Sequence, residues 1–470
     1  MYQILIGLEI HAELLTNSKI FCSCSTQFGK EANTQCCPVC LGLPGSLPVL
    51  NKKVIEFAIQ SGIAMNCEIT KKSFMDRKNY FYPDLPKAYQ ISQYEDPLCK
   101  DGYIEIEKDK KVKKIGIQRI HIEEDAGKSI HEKDYSLVDY NRCGLPLIEI
   151  VTKPHMNSSK EAYLFLENLK SILEYIEVSD CKMEEGSLRC DVNINVVSSD
   201  MVKTNIVELK NLNSFKAVAK AIEYEEKRHI SLLEKGENTK KETRRWDEHK
   251  NMTIPMRSKE YVQDYRYFKD PDLVMIHIDK DWIEGMKKNI PELPKDKKSR
   301  FIKDYHLPDY DAKVLTSSRK IADFFEEVVK YFSDFKLVSN FIMTEVYRVL
   351  KEKNITIEDI KIKPKDLGEL LTFIQKGMIS NHIGKKIFKK MCISGETPRN
   401  IIENKGLIQI SDENSIKEMI QKVINENPQS IEDYKNGKDK ALGFLVGQVM
   451  KESRGKANPK LVNQYLNKMI

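Results

Sequence analysis

Two patterns near the start of the chain have the residue types and spacing to do chemistry. The first is "GLEIHAEL", in which Glu9, His11 and Glu13 alternate with Leu8, Ile10, Ala12 and Leu14. On a strand, successive side chains point to opposite faces, so two carboxylates and an imidazole share one face. Such a set suits a metal ion or acid–base work. The second is "CSCSTQFGKEANTQCCPVC", from Cys22 to Cys40, which holds five of the 11 cysteines. Cys22-x-Cys24 and Cys37-x-x-Cys40 are two paired-cysteine turns, a spacing that fits four thiolates around one tetrahedral zinc ion. Cys36 is not expected to be a ligand, because adjacent side chains diverge. Four sulfurs fill the shell and leave no position for water or substrate, so a structural site is expected. A redox role for Cys37-x-x-Cys40 lacks the βαβ context it needs.

Further acids could join the first pattern. "HIEEDAG" carries Glu123, Glu124 and Asp125, and "GLPLIEIVTKP" sets Glu149 in an apolar run. An acid there is costly to bury unless paired or metal-bound. Carboxylates with one histidine suit a hard ion such as Mg²⁺, which prefers oxygen and a phosphate partner. "AGKS" (Ala126 to Ser129) imitates the end of a P-loop, but position 122 is Ile122 where that motif needs glycine. By pattern alone, the chain is a zinc-stapled body with an acidic metal face, and no reaction can be read from it.

The elements that must position these residues fall into three stretches. With 470 residues, the chain exceeds the roughly 100–200 of one domain. Its composition is 41% hydrophobic and 31% charged, enough for a sizeable core. To about residue 290 it reads as mixed β and α. In "SLRCDVNINV", Leu188, Cys190, Val192, Ile194 and Val196 face one way; Arg189, Asp191, Asn193 and Asn195 face the other. "SSKEAYLFLENLKSILEYIE" opens on a capping box, Ser158 with Glu161, and continues at helical spacing. Two prolines and a charge run in "IPELPKDKKSR" mark a boundary, beyond which helical periodicity prevails. "ISGETPRN" marks a second. The expected fold is α+β: a body over 1–290 with the four-cysteine loop, an all-α domain over 291–400 and a small helical tail over 401–470. No long apolar run predicts a membrane span or signal peptide, and clustered cysteines predict a reducing, cytoplasmic setting. The net charge of +6 is modest, but five basic residues against Glu452 in the last thirty make a phosphate-binding tail possible.

Longer strings carry a resemblance. "DRKNYFYPDLPKAYQISQY" (Asp76 to Tyr94), "RIHIEEDAGKSIH", "VDYNRCGLPLIEIV", "VSDCKMEEGSLRCDVNINV", "ELKNLNSFKAVAKAIEYEEKR", "ETRRWDE" and "DYRYF" occur in order, with "FLVGQVMKESRGKANPKLVNQYL" near the end. Together they resemble the B-subunit (GatB) family of glutamine-dependent aspartyl/glutamyl-tRNA amidotransferases, in its bacterial and organellar branch. The resemblance implies a cradle-like body, a helical domain and a tRNA-binding tail. It also implies ligase chemistry, in which ATP activates the side-chain carboxylate of Glu-tRNA(Gln) or Asp-tRNA(Asn) and ammonia then displaces phosphate. An amidase-type A subunit would release the ammonia from glutamine, and a small C subunit would link the two. No amidase signature occurs in this chain, which is expected to be inactive on glutamine alone.

By that resemblance, Glu9, His11, Glu124 and Glu149 are the expected Mg²⁺ site; by their spacing, Cys22, Cys24, Cys37 and Cys40 are the expected zinc site. Lys78, Tyr80, Arg189 and Asp191 are expected to place phosphate and substrate, with Asp191 alternatively orienting ammonia or accepting its proton. Lys451, Arg454 and Lys456 are expected on tRNA phosphates, with Lys385, Lys386, Lys389 and Lys390 as a second patch. Polar residues such as Asn193 and Asn195 would suit a hydrophilic ammonia channel. Two other classes remain: a zinc-stabilised tRNA-binding scaffold without chemistry, and a metal-dependent nucleic-acid hydrolase.

Overall fold

Strand alternation is written into the core. The computed structural model describes residues 2–256, 264–405, 413–438, 440–453, 457 and 459–470. It divides into two compact units, Met1–Leu293 and Pro294–Ile470. In the first, nine strands form one sheet: β1 (Tyr2–Glu13), β2 (Glu68–Ile69), β3 (Cys99–Lys108), β4 (Lys111–Glu124), β5 (Pro146–Thr152), β6 (Leu188–Ser198), β7 (Val207–Lys210), β8 (Glu242–Asp247) and β9 (Met252–Pro255). The order is β9-β8-β7-β6-β1-β5-β4-β3-β2, antiparallel throughout except for the β7–β8 pair. Ile4, Ile6, Leu8, Ile10 and Ala12 of β1 and the even-numbered residues Leu188 to Val196 of β6 are buried on one face. Helices α1 (Lys52–Ala64), α2 (Ser159–Tyr175) and α3 (Phe215–Glu234) share that core. Ser158 caps α2 by accepting from the Glu161 backbone amide, and α2 buries Phe165, Leu166, Leu169 and Leu173.

One irregularity decides which acids share the open face. In β4 the buried apolar residues are Ile115 and Ile117, then Ile120 and Ile122, so the alternation changes phase between 117 and 120. The pairing with β5 shifts at the same place, where Val151 faces Arg119 but Thr152 faces Ile117. A one-residue bulge accommodates the extra residue. It turns Arg119, His121 and Glu123 together onto the face away from the core.

A small three-stranded sheet brings Asp76–Asn79 between Tyr89–Ser92 and Phe268–Lys269. Arg77 ties it together, donating to Asp270 at 2.8 Å and to Asp272 at 2.7 Å. In the second unit the regular elements are helices. Residues between Phe301 and Ile402 build one core, and residues between Ile416 and Leu466 another.

The edge strands are pinned to α3 by a buried polar network. Glu225, fully buried, accepts from Arg228 and from Thr253 of β9, forms an ion pair with Arg244 of β8 at 3.2 Å, and lies 3.2 Å from His229. Burial raises its pKa, but the bonds from His229, Arg228 and Thr253 outweigh that and bring it down to about 2. A depressed carboxyl contributes stability above its unfolded value of 4.5 that is lost as pH falls towards 2. That difference is worth about 3 kcal/mol. Unfolding in urea, followed through Trp246 and Trp282, should lose stability steeply between those pH values. Glu225→Gln should lower the midpoint at pH 7 and flatten that acid limb.

Candidate active site and metal centres

Register places the functional side chains. His11 stands directly opposite Glu149 of β5 and Arg189 of β6, Glu9 opposite Asp191, and Glu149 opposite His121 of β4. The face of the sheet away from the helices therefore presents, strand by strand, Lys210, Asp191, Glu9 with His11, Glu149, and His121 with Glu123.

At the centre, His11 Nε2 lies 3.3 Å from Glu123 Oε1 and 3.2 Å from Glu149 Oε2. His121 Nε2 approaches the same two carboxylates at 3.7 and 3.5 Å. Burial disfavours a charged imidazole, but the bonds to Glu123 and Glu149 raise His11 to about 10. Glu123 and Glu149 move the other way: burial raises them, and the imidazoles hold them below the usual carboxylate range. Glu9 is pushed up, first by burial and then by the Glu149 charge. Such divergence marks groups with different tasks.

Donor atoms of Glu9, His11 and Glu149 lie within 4.8 Å of one another, as do those of His121, Glu123 and Glu149. Around Mg²⁺, neighbouring ligands stand about 3 Å apart and opposite ones about 4 Å. The oxygen-rich donor set and its spacing fit such an ion. Buried polar atoms without a partner also gather on this face: His121 Nδ1, Arg119 Nε and Arg189 Nε.

Glu124 is not in this group. It is in phase with Ile120 and Ile122, so its carboxylate turns to the opposite side of β4. There it accepts from Lys87 at 2.6 and 2.7 Å and from the Ile91 amide at 2.8 Å. Glu123, one residue earlier, faces His11 instead. His121, Arg119 and Lys210 were also passed over; their signal was phase, since they alternate with buried residues on strands of the acidic face.

The remaining expected site residues lie around this centre. Lys78 stands 4.9 Å from the Tyr265 ring and 5.8 Å from the Tyr80 ring, and those rings meet edge to face. Burial, then the charges of Asp84 and Glu123, raise the Tyr80 phenol; burial, then Glu123 and Glu149, raise that of Tyr267. Tyr267 stacks on Tyr94 at 4.3 Å. These tyrosines thus stand beside the acid cluster with a cation among them. Arg189 donates to Asp125 at 2.8 Å, and Asp191 accepts from Lys210 at 2.5 Å. Lys210 also reaches Glu208 at 3.0 Å, so Asp191 is held by a fixed cation.

The cysteine loop follows β1. Donor sulfurs of Cys22, Cys24, Cys37 and Cys40 lie within 4.8 Å of one another. Cys37 and Cys40 are 3.9 Å apart, against about 3.8 Å for two thiolates on tetrahedral zinc. A hydrogen bond from Cys22 lowers the Cys40 thiol to about 4 although burial opposes it; the Cys37 amide and Lys19 add to the effect. Cys36 points elsewhere, towards Asn141.

Comparison with known proteins assigns the family. The GatB/GatE catalytic domain family matches residues 4–284, and the GatB domain family matches residues 323–470. A Thermoanaerobacter pseudethanolicus protein, named as the B subunit of an aspartyl/glutamyl-tRNA(Asn/Gln) amidotransferase, is 60% identical over 472 residues, covering 100% of this chain and 99% of its own. Proteins of the same name from Caldanaerobacter subterraneus and Clostridium tetani are 59% and 56% identical, with the same coverage.

The chain belongs to the GatB family.

Within this GatB chain the tail candidates separate. Lys451 is exposed in the last turn of the helix Lys440–Glu452, whereas Arg454 and Lys456 lie outside the described residues. In the second basic patch, Lys385 pairs with the buried Glu345 at 2.8 Å, Lys389 with Glu352 at 3.6 Å and Lys390 with Glu396 at 2.9 Å. Much of that patch is already neutralised. No described helix is long and apolar enough to cross a membrane.

Two outcomes distinguish these sites. Divalent-ion binding must displace the proton that His11 carries below pH 10, so affinity should rise about tenfold per pH unit. Calorimetry in buffers of different ionisation enthalpy would report the released proton. Glu149→Gln should abolish that binding, whereas Glu124→Gln should leave it and lower thermal stability by stranding Lys87. For the loop, Cys37→Ser should lower zinc content and melting temperature before activity, and His11→Ala the reverse.

Proposed function

We propose that this chain amidates the glutamate or aspartate side chain of a mischarged tRNA, as the kinase and transamidase subunit of a heterotrimer. The supporting observation is the buried acid–imidazole cluster of His11, Glu123 and Glu149 on the sheet face away from the helices, with Lys78, Arg189 and Lys210 around it. A scaffold that only binds RNA has no need of such a cluster. An amidase-type partner would supply ammonia from glutamine, and a small third subunit would join the two.

The reaction sets the demands on these residues. A carboxylate accepts ammonia only after its oxygen becomes a leaving group, so the γ-phosphoryl of ATP must pass to it, leaving ADP. Ammonia then forms the C–N bond, the C–O bond breaks, phosphate departs, and a proton passes to a base or water. Bound at Glu9, His11 and Glu149, with Glu123 and His121 adjoining, Mg²⁺ would neutralise phosphate charge during transfer. Lys78 presents an ammonium to a phosphate from the tyrosine wall. Arg189, fixed by Asp125, orients an oxyanion. Asp191, already tied to Lys210, accepts a hydrogen bond from ammonia and so aims its lone pair. Zinc on the four cysteines would only brace the loop after β1.

The test is the complex reconstituted with its two partners and assayed on both mischarged tRNAs. ATP hydrolysis should require mischarged tRNA, and His11→Ala or Glu123→Gln should lower it by a factor of about 10² or more. Full activity in both variants would refute the metal-site assignment, and cleavage of the tRNA would instead indicate a hydrolase. Replacing Lys451, Arg454 and Lys456 together by Ala should weaken tRNA binding and shallow its salt dependence.

A further inference from the structure

We propose that Lys19 is the charge partner of the zinc-bound tetrathiolate formed by Cys22, Cys24, Cys37 and Cys40. This rests on the zinc reading of the four cysteines. Lys19 is wholly buried, an uncommon fate for a lysine. Among the described residues its ammonium meets only Cys40 Sγ, at 3.7 Å, and the Tyr140 carbonyl, at 3.3 Å. Glu124 lines the same small cavity, but its carboxylate is taken by Lys87. A buried ammonium without an anion is strongly unfavourable. Its neighbouring source of negative charge is the sulfur cluster.

The backbone holds the lysine in place. Lys19 N–H donates to the Cys24 carbonyl at 2.9 Å, inside the cysteine loop, and Ile20 N–H donates to Gly144 at 3.0 Å. Gly144 has a φ of +81°, and a Cβ there would sit 3.5 Å from Lys19 Cδ and 3.6 Å from the Cys40 Cβ. The stem of Lys19 thus passes between the loop and the turn that leads into β5. Zn²⁺ with four thiolates carries a net charge of −2. One ammonium donating to the Cys40 sulfur halves it and supplies an outer-shell hydrogen bond of the kind that tunes metal affinity.

Zinc content and zinc release to a chromogenic chelator, measured on the full-length chain, test this. The unmodified chain should hold one zinc. Lys19→Met should release it at least about tenfold faster, and Lys19→Arg should restore much of the difference. After zinc is stripped, Lys19→Met should melt no lower than the stripped unmodified chain, because the uncompensated cation is gone. Equal release rates would overturn the proposal. So would a stripped Lys19→Met chain that melts as far below its unmodified counterpart as the zinc-loaded one does, since the stem would then serve only as packing. If the unmodified chain holds no zinc, the zinc reading itself falls and takes the proposal with it. Should Lys19→Met fail to fold, Lys19→Gln carries the same comparison.

Discussion

Carboxylates on neighbouring strands of one sheet face repel, and the first unit is arranged around containing that repulsion. Glu9, Glu149, Glu123 and Asp191 come from four different strands, and Glu149, Glu123 and Asp191 each stand within ion-pair distance of a cationic side chain. His11 sits between Glu123 and Glu149, His121 behind them, and Lys210 beside Asp191. Without these partners the cluster would hold several buried like charges, which protonate rather than remain ionised. With them, Glu123 and Glu149 are held below the usual carboxylate range while burial and the Glu149 charge push Glu9 above it. Such a mixture suits a metal ion followed by phosphate.

The surrounding architecture maintains that balance. One face of the sheet is sealed by α1, α2 and α3, so the opposite face is free to be polar. The edge strands, remote from the cluster, are anchored to α3 through Glu225 and its arginines, which fixes β7 and hence Lys210. Arg77 clamps the strand bearing Lys78 to the segment that follows Tyr265 and Tyr267. The cysteine loop, poor in apolar residues, is instead drawn together by sulfur. It is joined to the turn before β5 through Asn33, Gln35 and Lys19. Stability and chemistry thus use separate charge networks, so damage to one need not disable the other.

Much of this was legible from the chain because it depends on local period. Alternation in β1 and β6 put Glu9, His11, Arg189 and Asp191 on the faces where they are found. The capping box located the start of α2, and the cysteine spacing gathered four sulfurs. Glu124 stands apart from the cluster for an instructive reason. Neighbouring Glu123 and Glu124 are chemically equivalent as types, and only strand phase separates them. The phase of β4 is altered upstream by a bulge, so composition near "HIEED" offers no choice between the two. The same blindness hid His121 and Lys210, whose importance lies in what stands opposite them across the sheet.

The chain alone determined that β1 and β6 are strands and α2 a helix, that four cysteines cluster, and the family, since these rest on periods and strings within short windows. Only the tertiary structure decided which acid faces which. Register brings residues more than a hundred positions apart, such as His11 and Glu149, to within hydrogen-bonding distance. Burial then settles their charges. Both are consequences of packing between strands that are neighbours in space but not in sequence, and no local pattern encodes them.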